Sequence, residues 1–424
     1  MRTPGRILSG RWLVAVALGC ASACSHGSAE RSRIDGKLDE AGLPIVNVHV
    51  DVSAEHARDA ARVLAAAVAT LRRAGEWLGP YKGSSLEIVE ADRAVAAAPS
   101  TVVIPPQPWL SRPESMGIEL AAARAASGQY WRQQLDAANL PSWFIAALVE
   151  LVARRTVEPM FQVDNLAPGY AFMEARFFGG FVPKFLRIRL ATETDGVPPS
   201  AYRSNPHVAP VVRPTSRDDA RALEAKAFLT LGTLDRWVGR PVFDEILTRF
   251  VHDSTGRQPA LADFARTASE VSGQDLSWLF DQTLASTGIF DYAVAELTSE
   301  PASGGFSTTV VVRRNGAAQF TGAARQPIGS FESGQGVALL VEFADGRRRV
   351  DHWDGRAKSR EFAYRSPARA VSAEVDPDGV ILLDLNRTNN SRALRPFAGR
   401  AAVQWAARWL AWLQDGILTW ASLV

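Results

Sequence analysis

Strict alternation of apolar and polar residues opens the folded part of the chain. The run IVNVHVDV (45–52) has the period of two that a half-buried β-strand shows. A long alanine-rich stretch follows and predicts a helix, which ends at Gly79 and Pro80. Two short β-branched runs, LEIVEA and STVVIP, are bounded by turn residues. The pattern therefore predicts a strand, a helix and two further strands.

From about residue 114 to residue 290, apolar residues recur at helical spacing. ESMGIELAAARAASGQYWRQQL and PSWFIAALVELVARR predict a helix pair joined by the short connection DAANLP. Residues 157–216 are richer in glycine, proline and aromatic residues, and we interpret them as irregular. Four amphipathic helices are predicted after them, in DDARALEAKAFLTLGTLDRWVG, VFDEILTRFVHDST, ALADFARTASEVS and DLSWLFDQTLAS.

The period changes to two from residue 291, which predicts a small β-sandwich over 291–391. Asp-Gly turns separate several of its short strands, and Asp-Gly is a strong hairpin signal. The predicted strands are FSTTVVVRR, VALLVEF, RRRVDHW, REFAYR, ARAVSAEV and VILLDL.

The last segment, residues 398–424, predicts a tryptophan-rich amphipathic helix. Arg408 and Asp415 would each cost about 2.5–3.5 kcal/mol near the centre of a bilayer, which argues against a membrane span. Two interpretations stay open: a helix lying in the lipid–water interface, or one packed against another domain. The polar stripe consists of Gln404, Arg408, Asp415, Thr419 and Ser422, and Trp405, Trp409, Trp412 and Trp420 lie opposite.

The chain begins with arginines, an apolar run and small residues, which predicts a signal peptide over residues 1–24. Cys24 follows Ala-Ser-Ala and Cys20 follows Ala-Leu-Gly, so either cysteine fits the lipidation site of a bacterial lipoprotein. Simple cleavage and an uncleaved anchor are the alternatives. Residues 25–43 are interpreted as a polar tether. We expect an exported, membrane-anchored protein of the bacterial cell envelope, facing the periplasm or the exterior.

Charge and composition exclude some functions. The 424 residues carry a net charge of +2, whereas a nucleic-acid partner requires a concentrated basic face. Both cysteines lie within the first 24 residues, so the folded part has neither a disulfide nor thiolate chemistry. The six histidines include no pair with metal-ligand spacing along a helix.

Five stretches in the same order along residues 76–391 together resemble the aminopeptidase N family, zinc metallopeptidases of the gluzincin type. The resemblance implies an α+β fold with a thermolysin-like gluzincin domain over 44–290, in which a small β-containing block precedes a helical domain. The β-sandwich and the C-terminal amphipathic helix follow it. The stretches are EWLGPYKGSSLEIVEAD, QYWRQQL with PSWFIAALVE, EAKAFLTLGTLDRWVGRPVFDEILTRFV, SGQDLSWLFDQTLASTGIFDY and DPDGVILLDLNRTNNS.

In that family an H-E-x-x-H helix supplies two zinc ligands and a general base, because residues i and i+4 share one face of a helix. Alignment through QYW puts these roles on Arg124, Ala125 and Gly128. The third ligand falls on Ala146, or on Ala147 if the family's usual spacing is counted. The position of the family's oxyanion-stabilising tyrosine falls on Glu224. The family implies zinc, but these residues cannot ligate it, so we expect no cofactor.

A rival register through IELAA keeps Glu119 as the general base, but Ile118 and Ala122 flank it and neither binds a metal. Arg124 held 4 Å from a divalent ion would be repelled by roughly 8 kcal/mol at an effective dielectric near 20. We therefore expect Arg124 to form an ion pair with Glu150, one turn after Ala146. This pair would replace the metal.

The sequence thus predicts a catalytically inactive, peptidase-like envelope lipoprotein that binds a peptide or protein partner or acts as a scaffold. Its binding groove is predicted to be lined by Glu150, Tyr130, Trp131 and Trp143. The alternatives are an active zinc aminopeptidase with a shifted metal site and a structural subunit of an envelope assembly.

Overall fold

The computed structural model describes residues 31–91, 100–104, 117–160, 170–172, 189–191, 199–211, 213–322, 336–395 and 406. Their content is mixed α and β, as predicted. The strands are β1 (Arg31–Leu38), β2 (Val46–Ser53), β3 (Ser85–Glu90), β4 (Thr101–Ile104), β5 (Tyr170–Phe172), β6 (Arg189–Ala191), β7 (Tyr292–Ala302), β8 (Gly305–Arg314), β9 (Val337–Phe343), β10 (Arg348–Trp353), β11 (Ser359–Ser366), β12 (Ala370–Val375) and β13 (Ser391–Ala393). The helices are α1 (Ala60–Leu78), α2 (Gly117–Gln134), α3 (Ser142–Met160), α4 (Pro199–Ser204), α5 (Arg217–Val238), α6 (Arg240–Asp253), α7 (Leu261–Ser272) and α8 (Ser277–Thr283).

The first block is a four-stranded sheet in the order β1-β2-β3-β4, with α1 packed on it. β2, β3 and β4 are parallel, and α1 is the crossover that a parallel β2–β3 pair requires. Val48 and Val50 of β2 are fully buried in the core beside α1. The strand–helix–strand–strand order predicted from the alternation is confirmed.

The predicted polar tether over residues 25–43 is wrong in its described part, because Arg31–Leu38 form β1. This strand pairs antiparallel with β2 along its whole length. The charged residues of RSRIDGKL alternate with residues that turn inward, and at Gly36 a Cβ atom would approach Leu64 to 2.8 Å. The exposed charges are compensated across the strands, as between Arg31 Nε and Asp51 Oδ1 at 2.7 Å.

The helical region has a core of edge-to-face aromatic contacts centred on Phe264 of α7. Its ring centroid lies 5.2 Å from Phe144 of α3, 5.2 Å from Phe250 of α6 and 5.7 Å from Phe280 of α8. Such pairs stabilise a core beyond the area that they bury. The cluster fixes α3 relative to three helices that follow much later in the sequence. In the predicted irregular region, α3 extends to Met160, α4 is helical, and β5 pairs with β6.

The strands after residue 291 form two antiparallel sheets. One has the order β11-β8-β7 and the other has the order β10-β9-β12-β13. Their alternating inward residues, among them Val310, Val341 and Phe362, belong to one buried core. Ser299 of β7 also donates or accepts a hydroxyl hydrogen bond with Thr308 of β8 at 2.8 Å inside this core.

The predicted strand VILLDL is wrong: residues 380–385 form turns with one isolated bridge. Asp376 is the cause, because its carboxylate accepts hydrogen bonds from the backbone N–H groups of Val380 and Ile381 at 2.8 and 2.9 Å. Asp376 itself has a φ of 53°, a left-handed conformation that few residues other than glycine, asparagine and aspartate adopt. The side chain thus competes with a sheet ladder for the backbone.

The turn segment instead joins the β-sheets to the helical region. The backbone N–H of Leu382 donates to Thr233 Oγ1 of α5 at 3.1 Å. The hydroxyl of Tyr202 in α4 donates to the carbonyl oxygen of Leu383 at 3.3 Å. Backbone groups that would pair in a sheet are therefore satisfied by side chains of the helical region.

Asp376 makes stability depend on pH. Burial raises its pKa from 3.8 to about 7, against the opposing effect of Arg387. Its stabilising contribution is therefore fully present below pH 3.8 and is lost as the pH rises through about 7. Asparagine adopts the same backbone conformation but does not titrate. We expect denaturant titrations to show that wild type loses stability relative to Asp376→Asn across this window. Parallel pH profiles would contradict the expectation.

Several predictions lie outside the described residues. These are the signal peptide with Cys20 and Cys24, the start of the tether, and the amphipathic helix over 398–424, of which residue 406 alone is described. In the part of the chain that the structure describes, no helix has both the length and the apolar character of a membrane span.

Candidate functional site

The helix pair that the resemblance points to is formed by α2 and α3, which pack against each other. Their connection is a short 3-10 turn over Ala137–Asn139, and Asp136 accepts a hydrogen bond from the backbone N–H of Ala138. Pro141 precedes α3, and its carbonyl oxygen accepts the first hydrogen bonds of that helix. The tight connection keeps the two helices adjacent.

An ion pair joins the two helices, as predicted. Arg124 of α2 donates from Nε to Glu150 Oε2 at 2.6 Å and from Nη2 to Glu150 Oε1 at 3.1 Å. This two-pronged geometry is the strongest that a guanidinium and a carboxylate form. Arg154 of α3 donates to the same Oε1 from Nε at 2.5 Å. We refer to Arg124, Glu150 and Arg154 as the arginine–glutamate cluster.

Glu150 is ionised within this cluster although it is buried. Its side chain is 3% exposed, whereas that of Arg124 is 24% exposed. Burial alone would raise the pKa of Glu150, but Arg154 and Arg124 outweigh this effect and hold its pKa below the ordinary value. The cluster therefore consists of charged side chains in the protein interior, and Arg124 is its most exposed member.

The other positions aligned with zinc ligands carry no donor atoms. Ala125, Gly128 and Ala146 are all partly exposed, whereas Ala147 is fully buried. A Cβ atom at Gly128 would meet its nearest neighbour, Val149 of α3, only at 4.0 Å. Small residues thus surround Arg124 where the family has its metal-binding side chains.

The rival register through Glu119 is not supported by the geometry. The carboxylate of Glu119 is buried and accepts two hydrogen bonds from Arg62 of α1, at 2.7 and 2.9 Å. Its flanking residues Ile118 and Ala122 belong to the hydrophobic core. Glu119 therefore links α2 to α1 and does not face an open site.

Two charged residues of α5 differ in their surroundings. Glu224 is partly buried and has no ion pair among the described residues. Burial raises its pKa; Arg221 opposes the shift and Glu150 adds to it. Lys226 is fully buried, and its Nζ donates to the carbonyl oxygen of Ser286 at 2.7 Å. Burial lowers the pKa of Lys226 to about 8. Glu224 thus lies near the cluster, and Lys226 anchors the segment after α8.

The prediction that Tyr130, Trp131 and Trp143 line a groove is wrong, because all three belong to the core. Tyr130 donates its hydroxyl proton to the carbonyl oxygen of Gly79 at 2.7 Å. Trp143 donates from its indole nitrogen to the carbonyl oxygen of Val211 at 2.8 Å. The polar atoms of Tyr130 and Trp143 are thus satisfied inside the fold, as is usual for buried aromatic residues, whereas the buried indole nitrogen of Trp131 has no hydrogen-bond partner among the described residues. Of the four residues predicted for the groove, the buried Glu150 alone takes part in the cluster.

Arg154 is a cluster member that our sequence analysis missed. It lies four residues after Glu150 on one helix, and residues at this spacing are neighbours on the helix surface. The spacing of E-L-V-A-R in the sequence was a sufficient signal.

The zinc that the family resemblance implies does not fit these residues. A guanidinium is positively charged and has no lone pair to offer, and alanine and glycine side chains have no donor atoms. Among the described residues, no group of three or more histidine, cysteine, aspartate or glutamate side chains is placed to hold a metal ion.

Comparison with known proteins supports the fold at a coarse level. None of the protein-family models matches this chain, and no curated protein matches it by sequence. Among solved structures, the chain is similar to the crystal structure of Legionella pneumophila aminopeptidase A in complex with aspartic acid, with a TM-score of 0.51 and 12% identity. The match covers 84% of this chain but 38% of that chain. At this identity, the similarity shows a peptidase-like fold.

Proposed function

We propose that this protein is a non-catalytic, peptidase-like binding protein of the bacterial envelope, with a degenerate aminopeptidase N-like gluzincin domain. The observation that carries the proposal is the arginine–glutamate cluster, in which Arg124 holds Glu150 at 2.6 Å between α2 and α3. This ion pair joins the helices that carry the zinc ligands in the family. The partner would be a peptide or a protein segment that lies over the small residues around Arg124.

The proposal follows from what the cluster can do chemically. Peptide hydrolysis by the family's mechanism requires an activated water, a general base and a charge that stabilises the oxyanion. Arg124 is a cation without a lone pair, and Glu150 accepts hydrogen bonds from two guanidinium groups, so neither is suited to take up a proton from water. The cluster offers hydrogen-bond donors and positive charge, which suit binding.

An activity assay tests this proposal. The purified full-length chain is incubated with a set of fluorogenic aminoacyl substrates, in the presence and absence of a metal chelator. We expect no turnover above that of a matched blank in either condition. Turnover that the chelator abolishes would contradict the proposal and support an active aminopeptidase with a shifted metal site.

The envelope location is tested separately through the N-terminal cysteines. We expect metabolic labelling with a radioactive fatty acid to label the wild-type protein and not a variant with both Cys20→Ser and Cys24→Ser. The single variants identify which cysteine carries the lipid. Equal labelling of the double variant and wild type would refute N-terminal lipidation, whatever the segment over 398–424 contributes to membrane binding.

A further inference from the structure

One edge of the Arg124 guanidinium is held and the other is free. Nε and Nη2 donate to Glu150, and Nη1 has no protein partner within the described ranges. A guanidinium carries five N–H donors in a rigid plane, so the two N–H groups on Nη1 remain available. Because Glu150 fixes the plane of the guanidinium, these donors point in a set direction. The side chain of Arg124 therefore loses little conformational entropy when a ligand accepts its hydrogen bonds.

Arg124 and Arg154 share an acceptor atom but differ in exposure. Glu150 Oε1 accepts hydrogen bonds from both guanidinium groups. Arg124 is the more exposed of the two arginines, with 24% of its side chain accessible against 9% for Arg154. An anion from solution can therefore reach Arg124.

The exposed neighbours of Arg124 on α2 are small. On a helix, the neighbours of residue i on the same face are i−4, i−3, i+3 and i+4. For Arg124, the neighbours Leu120 and Ser127 are buried, whereas Ala121 and Gly128 are partly exposed. The next position, Ala125, is equally small and partly exposed. A ligand can approach the guanidinium over this surface.

We infer that Arg124 anchors a carboxylate group of the bound peptide through the N–H groups of its free edge. This inference deepens the proposed function and rests on it, because it assigns the chemical class of the ligand. Arginine and carboxylate match in charge and planar geometry, and the partly buried setting strengthens the interaction relative to open solvent. The carboxylate has two sources, the C-terminus of a peptide or the side chain of an aspartate or glutamate.

Glu224 is expected to affect carboxylate binding in the opposite sense to Arg124. It lies near Glu150 on the neighbouring helix α5 and has no ion pair among the described residues. A negative charge at this place opposes the binding of an anion. Replacing Arg124 and replacing Glu224 by uncharged residues should therefore change carboxylate affinity in opposite directions.

The experiment uses four labelled peptides of equal length, and fluorescence polarisation measures their binding to the purified full-length chain. One has a neutral sequence and a free C-terminus, and a second is the same peptide with an amidated C-terminus. The third and fourth are amidated and contain one glutamate or one glutamine. In at least one of the two matched pairs, we expect the peptide with the carboxylate to bind at least about tenfold more tightly than the peptide with the amide. This is the effect of one hydrogen bond between charged groups.

Variants of the protein test whether Arg124 causes the difference in affinity between carboxylate and amide peptides. Arg124→Gln should abolish the difference between the carboxylate and amide peptides, and Glu224→Gln should enlarge it. The matched control is Arg132→Gln. Arg132 is an exposed arginine of the same helix that donates to the side-chain oxygen of Gln129, and the variant should bind as wild type does. Glu150 keeps Arg154 as a partner in Arg124→Gln, so the fold should persist, and a thermal melt of each variant verifies this.

The possible outcomes separate this inference from the proposed function. Preference for the free C-terminus or for the glutamate peptide identifies the source of the carboxylate, and either supports the inference. If the peptides bind but Arg124→Gln discriminates between them as wild type does, the inference is overturned and the proposed function stands. No binding of any carboxylate peptide also overturns the inference. Chelator-sensitive hydrolysis of the peptides overturns the proposed function itself.

Discussion

Replacing Glu150 by glutamine is expected to lower the free energy of unfolding by about 3–5 kcal/mol, the usual cost of breaking a buried ion pair by removing one partner. Glutamine has nearly the same shape, so the change removes charge and leaves packing almost unaltered. Arg124 and Arg154 both lose the carboxylate that they share, and the amide nitrogen of glutamine would face one of their N–H donors. Urea denaturation of both proteins measures the difference.

The matched control for Glu150→Gln is Arg124→Met. Glu150 then keeps Arg154, and Arg124 is already partly exposed, so the expected loss is smaller, about 1–2 kcal/mol. The two variants should also differ in their dependence on pH. The pKa of Glu150 is lowered in the folded protein, so its contribution is present above the unfolded value of 4.5 and is lost as the pH falls through the folded value. Equal stability of wild type and Glu150→Gln at neutral pH would contradict the buried ion pair.

Replacing Arg155 by alanine is expected to have the second large effect and to lower the free energy of unfolding by about 3 kcal/mol. Its side chain is 6% exposed, and it forms ion pairs with Asp235 at the end of α5 and Asp244 of α6. The guanidinium carbon also lies 4.4 Å from the ring centroid of Trp77 and 5.0 Å from that of Phe243, within range of cation–π attraction. One residue of α3 therefore links three other helices.

The expected loss for Arg155→Ala lies at the low end of the range for buried pairs. Asp235 retains a contact with Arg240 at 3.3 Å, and Asp244 is 28% exposed, so water can compensate part of the change. Arg249→Ala is the control, because its contact with Asp253 is solvated and such pairs contribute about 0–1 kcal/mol. Thermal melts that rank the two variants equally would show that Arg155 does not hold the helices together.

Periodicity predicted the elements whose stability depends on one buried face. The alternation over 45–52 gave β2, and the spacing in PSWFIAALVELVARR gave α3, because a strand or helix of this kind must cover its apolar side. The Arg124–Glu150 contact was also predictable, since a charged residue on a small, partly buried helix face needs a counter-charge within reach. The resemblance of the two helical segments to the aminopeptidase N motifs supplied the alignment that placed Arg124 opposite Glu150.

Elements that depend on distant partners were not predictable. The charged run at Arg31–Leu38 was interpreted as a tether because its alternation becomes visible only when β2 is known to lie beside it. VILLDL has the composition of a strand, but Asp376 and the helical region bind its backbone. Tyr130 and Trp143 were assigned to a groove because a sequence shows aromatic residues without showing which of them the core buries. The contacts of Arg155 span three helices and have no local signal.

The zinc content of the native protein tests the central claim most directly. The full-length chain is purified from cells grown with added zinc, freed of loosely bound metal, and measured by inductively coupled plasma mass spectrometry. Diffraction data collected at the zinc absorption edge then locate any bound ion. The account predicts zinc far below one ion per chain and no anomalous peak between α2 and α3. One ion per chain at that position, held by three protein donors, would contradict it.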